Sequence, residues 1–140
     1  MKVSAVMTRS VSTASSHETI EKAAVSMRKA NVGILPVMEG ARLIGIVTDR
    51  DIVVRGVATG ASASKSVVGD LMTEEVHFCL EDDEIEDVIR RMGETRVRRM
   101  PVLDRRSQFV GIVSLDDLAA SIESQHAVVD ALRKIRGQIR

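Results

Sequence analysis

Apolar positions along this chain follow two alternating periods, and the whole order of periods is written twice. Ile20, Ala23, Ala24 and Met27 fall at i, i+3, i+4 and i+7, which predicts a helix with one apolar face. Ile85, Val88, Ile89 and Met92 repeat that spacing. After each helix come two apolar runs joined by a short turn, residues 34–38 and 43–47, then 99–103 and 109–113, which read as strand pairs. A short helix is predicted after each pair, roughly 49–55 and 115–122, and a short strand before each long helix, near 11–14 and 76–80. Each unit therefore reads strand–helix–strand–strand–helix, an α/β arrangement.

Residue identities carry the same repeat. Met7-Thr8 recurs as Met72-Thr73, and Pro36-Val37 as Pro101-Val102, while Gly45-Ile46-Val47 returns as Gly111-Ile112-Val113. The offset grows by one residue inside the turn, Glu39-Gly40-Ala41-Arg42 against Asp104-Arg105-Arg106-Ser107-Gln108, where an insertion costs least. The prolines predict strands that are not wholly central, or that bend there. Thr19 is the expected cap of the first long helix, and Asp82 and Asp83 are expected to favour the start of the second through its dipole. Residues 56–65 have the composition of a linker, and residues 66–72 resemble residues 1–7, a lead-in that tucks against the neighbouring unit. The expected boundaries are 1–60, 61–124 and a C-terminal amphipathic helix over 125–140. Val128, Leu132, Ile135 and Ile139 form the apolar stripe of that helix, directed either to its own domain or to a second subunit.

Composition narrows the chemistry. Lys plus Arg and Asp plus Glu number 20 each, so no net charge draws the chain to nucleic acid or an anionic membrane. There is no Trp or Tyr, and only Phe78 and Phe109 are aromatic, which removes the stacking platforms of single-strand binders. The single cysteine, Cys79, cannot close an internal disulfide; together with the lack of a long apolar N-terminal stretch this predicts a cytoplasmic protein. Cys79 reads as a buried inert thiol or as a redox group. His17, His77 and His126 are scattered without metal-ligand spacing, and no nucleophile elbow, Walker loop or dinucleotide fingerprint occurs, so no metal site and no catalytic residue is expected.

The place of chemical interest is where the last strand of each unit meets its short helix: Thr48-Asp49-Arg50-Asp51 and Ser114-Leu115-Asp116-Asp117. Helix starts leave backbone N–H groups for an anion such as phosphate, and a carboxylate can accept both hydroxyls of a ribose. An adenine would need an apolar slot, for which Val11, Ile34, Val76 and Met100 are strand candidates. The same hydroxyl-x-x-acid spacing is also a capping box, a purely structural device. One of the adjacent Arg98 and Arg99 is expected to reach the phosphate position, since neighbouring strand residues face opposite ways. Arg50 in one copy stands against Asp116 in the other, which predicts a polyanion preference for the Thr48 site. The other arginines of the second unit read as a solvated surface.

With Met-Thr, Pro-Val and Gly-Ile-Val-Thr/Ser-x-x-Asp present in both copies, the chain resembles a tandem pair of cystathionine-β-synthase (CBS) domains over about residues 1–124, and among these the stand-alone bacterial stress-response type. The resemblance implies two β-α-β-β-α units packed sheet to sheet about a pseudo-twofold axis with two clefts, plus a C-terminal helix. It further implies a homodimer and a non-catalytic regulatory role. The ligands it implies are AMP, ADP, ATP, NAD or S-adenosylmethionine, with no required cofactor. Thr48 and Ser114 would contact phosphate and Asp51 and Asp117 the ribose, with Arg50, Asp116 and Arg99 nearby. A regulated protein partner belongs to this reading. The rival reading is an interaction protein of the same fold with empty clefts.

Overall fold

The computed structural model describes residues 1–120 and 125–137. It resolves into two compact units, Val11–Val76 and a second made of Met1–Ser10 with His77–Arg140. The first holds β1 (Ala14–Ser15), α1 (Ile20–Ala30), β2 (Ile34–Glu39), β3 (Arg42–Thr48) and α2 (Asp49–Asp51), which runs on as a π turn (Ile52–Gly56) and a 3-10 turn (Val57–Thr59). The second holds β4 (Cys79–Leu80), α3 (Ile85–Thr95), β5 (Arg99–Leu103), β6 (Phe109–Ser114), α4 (Leu115–Ala119) and α5 (Gln125–Arg136). Each unit has a three-stranded sheet, ordered β1-β2-β3 and β4-β5-β6, with the outer pair parallel and the hairpin antiparallel.

The prolines sit in the middle strands, each just before a register shift in the hairpin, between Val37 and Met38 and between Val102 and Leu103. They are tolerated because the parallel partner is only two residues long: β1 pairs with Val37 and Met38, and β4 with Val102 and Leu103, leaving Pro36 and Pro101 beyond its end. The strands expected over 11–14 and 76–80 shorten accordingly. Part of the expected linker, Gly56–Thr59, is helical and Gly56 is buried. Thr19 caps α1 by accepting from Lys22 N at 3.2 Å. Asp83, one residue before the N-cap of α3, accepts from Leu80 N and Arg91 through its carboxylate and closes the preceding turn. Asp82 pairs with Arg105.

Each lead-in completes the other repeat's unit. Thr8 exchanges backbone hydrogen bonds with Ile112 at 2.8 and 2.9 Å, and Thr73 does so with Ile46 at 2.8 and 3.0 Å. Val3 is fully buried beside Ile89 and Leu118, and Val68 beside Leu35 and Val47. Met1 and Lys2 fasten the chain start to Glu84, whose carboxyl titrates below its usual range because it accepts from Lys2. The glycines of the repeated Gly-Ile-Val belong to this arrangement: a Cβ on Gly45 would lie 2.9 Å from the Thr73 carbonyl oxygen, and one on Gly111 would press still closer on that of Thr8.

The C-terminal helix packs on its own unit. Its buried residues are Val128, Ala131 and Ile135, whereas Leu132 is 37% exposed. The stripe therefore runs through the small Ala131, which Gly93 of α3 admits to close range; Ile139 and the end of the short helix expected over 115–122 lie outside the described residues. No helix among the described residues is long and apolar enough to cross a membrane.

Cys79 is 1% exposed and burial pushes its thiol up to about 12. In the folded protein it should stay unreactive to a disulfide reagent at pH 8 and react fully in denaturant. Because the folded thiol holds its proton more tightly than the ordinary 9.0, its contribution to stability is intact below about pH 9 and is lost as pH rises towards 12. Urea midpoints measured across that window should fall more for the wild type than for Cys79→Ala.

Candidate functional site

Both strand-to-helix junctions form complete capping boxes. Ser114 Oγ accepts from Asp117 N at 3.1 Å, and Asp117 Oδ2 accepts from Ser114 N at 2.9 Å. Thr48 and Asp51 repeat the pair at the same two distances. The structural reading of this pattern is therefore realised in both copies. It leaves over each hydroxyl's proton and the carboxylate's Oδ1 as potential ligand contacts. In the first copy that Oδ1 faces Arg55 Nε at 3.9 Å.

Around these boxes the copies diverge. In the second-repeat unit, β5 and β6 pair Arg99 with Ser114, and Leu115 N donates to the Arg98 carbonyl at 2.8 Å. Arg98, Arg99, Ser114 and Asp116 together line a hollow of about 250 Å³. Both arginines reach it, where strand alternation predicts only one, because Arg98 precedes the first residue of β5 and its pleat. Leu115 is turned into the core at 1% exposure.

At the equivalent of Leu115 the first-repeat unit has the exposed Asp49, and in place of Arg98 it has Gly33. Asp49 N donates to the Gly33 carbonyl at 2.9 Å, and its carboxylate lies so near that a Cβ on Gly33 would be 2.7 Å from Oδ2. The same carboxylate takes the Arg50 N–H at 2.8 Å, so a helix-start donor is spent internally. Comparison of Arg50 with Asp116 alone favours the first copy for a polyanion. The other charges differ as well: Arg98 and Arg99 border the Ser114 hollow together with Asp116, and in the first copy the Asp49 carboxylate lies against Gly33.

The remaining candidates divide. Ile34 is half-buried and pairs with Thr48 in the sheet. Met100 is fully buried in the core of its unit, one residue past Arg99, so it does not line an open slot. Val11 and Val76 are half-buried outside the strands. Arg50 is exposed. Among the described residues no cluster of His, Cys, Asp and Glu is placed to hold a metal ion.

Two repeated β-α-β-β-α units, each with a hydroxyl and an aspartate at its strand-to-helix junction, define a tandem-repeat α/β fold. The chain matches the CBS domain twice, over residues 3–57 and 68–124, and belongs to that family as a tandem pair with a C-terminal helix. It is 37% identical over 132 residues to CBS domain-containing protein YhcV of Bacillus subtilis, covering 94% of this chain and 93% of that protein. It is 34% identical to hypoxic response protein 1 of Mycobacterium tuberculosis, covering 93% and 90%. A crystal structure of Hypoxic Response Protein I with two coordinated zinc ions superposes with a TM-score of 0.79, covering 87% of this chain and 99% of that one. The CBS domain pair of protein MJ0100, solved with 5′-methylthioadenosine and S-adenosyl-L-methionine, has a TM-score of 0.76 at 28% identity, covering 89% and 98%. A solved CBS pair of this likeness thus holds adenosyl ligands.

Proposed function

We propose that the protein is a non-catalytic regulatory module that binds an adenine nucleotide and passes the bound state to a protein partner. The observation that carries this reading is the convergence of Arg98 and Arg99 on Ser114. Two exposed cations beside a hydroxyl suit phosphate, by charge-assisted hydrogen bonds. They suit AMP, ADP, ATP or NAD better than S-adenosylmethionine, whose sulfonium is itself cationic. Asp117 keeps one carboxylate oxygen for a ribose hydroxyl, and Asp116 borders the phosphate position. In the first-repeat unit Thr48 and Asp51 offer the same pair of contacts, with Ile34 beside Thr48 in the sheet and the exposed Arg50 between them in sequence. The Asp49 carboxylate makes that site the weaker for a polyanion.

Ligand acts in this reading only through a difference in affinity between arrangements of the module, which the partner reads. A cytoplasmic place and a link to stress response go with it. The completed capping boxes favour a second reading, an interaction protein in which Thr48, Asp51, Ser114 and Asp117 serve the fold alone.

A thermal-shift panel of AMP, ADP, ATP, NAD and S-adenosylmethionine separates the two. A ligand at a hundred times its dissociation constant should add about 2.7 kcal/mol of stability. The nucleotides should shift the midpoint more than S-adenosylmethionine does. A panel without any shift would leave the interaction reading.

A further inference from the structure

The first-repeat helix that Thr48 caps does not stay regular. Beyond α2 it widens into the π turn over Ile52–Gly56, and Thr59 Oγ1 donates to the carbonyls of Arg55 and Gly56 at 2.8 and 3.0 Å. A single wide turn of this kind is rare and frequently lies at a functional site. Gly56 lets it pack on the lead-in: a Cβ there would lie 3.3 Å from Leu71 Cδ1, and Leu71 is buried.

The π turn carries Arg55, whose guanidinium faces two places at once. Nη1 donates to the carbonyls of Leu71 and Met72 at 3.2 and 3.5 Å, and Nε stands 3.9 Å from Oδ1 of Asp51. That Oδ1 is the oxygen the capping box leaves over, since Oδ2 takes the Thr48 N–H. The Asp51 side chain is only 15% exposed, which narrows the directions from which a ligand can approach it. A ribose hydroxyl seated between the guanidinium and Oδ1 would need roughly 5.5 Å, two hydrogen-bond lengths. A hydroxyl that takes Oδ1 on that side therefore displaces Arg55. The pair yields readily, because 3.9 Å is beyond hydrogen-bond range and the Arg55 side chain is half exposed.

We infer that Arg55 is a positioning residue that couples the Asp51 carboxylate to the lead-in, so that a ribose on Asp51 draws the guanidinium away and loosens residues 71–73 against β3. Resting on the reading of Thr48 and Asp51 as a ribose site, it adds the route by which bound ligand alters the chain. Thr73 holds the lead-in to β3 through its paired backbone bonds with Ile46, directly after the two carbonyls that Arg55 restrains. Met72 is seated equally close, its Sδ lying 2.8 Å from where a Cβ on Gly45 would stand. The coupling is reciprocal: whatever tightens the lead-in weakens the ribose contact by the same factor. In the second repeat the residue at the place of Arg55 is Ser121, which carries no charge, so the coupling belongs to the first copy.

Amide hydrogen exchange of the full chain, with AMP binding measured on the same sample by calorimetry, tests it. Saturating AMP should speed exchange at Ile46 and Thr73 roughly threefold or more in the wild type. In Arg55→Met, AMP should still bind while those two amides exchange alike with and without it. Asp51→Ala should abolish the response as well. Should Arg55→Met not fold, Arg55→Lys decides, since it keeps the charge but not the planar fork and should lose the response too. An Arg55 that serves the fold alone would give faster exchange in Arg55→Met with the response to AMP retained, and that result overturns the inference. A wild type that binds AMP without faster exchange at Ile46 and Thr73 overturns it too, while leaving the nucleotide reading intact. Absence of any binding heat overturns both.

Discussion

Gly111→Ala should destabilise the protein by about 1–3 kcal/mol, a large part of the roughly 5–15 kcal/mol by which a domain of this kind is stable. The added methyl meets the backbone carbonyl of Thr8 and the Cα of Arg9, neither of which is the end of a flexible side chain. Relief requires the lead-in to lift from β6, breaking the paired hydrogen bonds between Thr8 and Ile112. Two readouts separate this mechanism from general damage. The urea midpoint should fall, and trypsin should cut after Arg9 faster than in the wild type. Gly137→Ala is the control, since a Cβ there comes no nearer than an ordinary 3.5 Å to its neighbours. An unchanged midpoint for Gly111→Ala would mean that the lead-in does not lie where the structure has it.

Replacing Arg98 and Arg99 together by Ala should weaken nucleotide binding roughly 10- to 100-fold. A charge-assisted hydrogen bond contributes about 1.5–3 kcal/mol, and each 1.4 kcal/mol is a factor of ten. Both guanidinium groups are exposed, so water and salt screen them and the lower part of that range applies at physiological ionic strength. These are cleaner probes than Ser114 or Asp117. Those two form a capping box, whose loss costs about 1 kcal/mol of stability with or without ligand. The arginine variant should keep the wild-type midpoint in the absence of ligand and lose the ligand-induced shift. Unchanged nucleotide affinity in that variant would remove the Ser114 hollow as the phosphate site.

The sequence repeat, the two long helices and both hairpins were legible in advance because each rests on a strong periodic signal. The one-residue insertion at Ser107 needs no more than a turn that admits it; Ser107 takes a positive φ of 62° there. The packing of each lead-in on the other repeat is expected from the likeness of residues 66–72 to residues 1–7, but the backbone pairing that holds it is harder to read. Its local signal is only Met-Thr, and the stronger clue is a glycine inside each apolar strand, which marks a close backbone approach. The stripe of α5 was misread through Leu132, because hydrophobicity outranks the fit of Ala131 against Gly93 when only spacing is considered.

At the site, the hydroxyl and aspartate positions follow from the motif, but the electrostatic difference between copies does not. It depends on Leu115 turning into the core while its counterpart Asp49 stays outside over Gly33. Position-by-position comparison of the motif treats those two residues as neutral filler. Arg98 similarly escapes a rule of alternation that begins only with β5. Side chains at the ends of strands are governed by neighbours distant in sequence, and no short window contains them.

Equilibrium dialysis of labelled ATP against the purified chain at physiological salt tests the central claim most directly. Saturable retention that unlabelled AMP displaces would be the signature of a pocket for the shared adenosine and phosphate. Retention that never saturates, or that excess AMP leaves untouched, would contradict it.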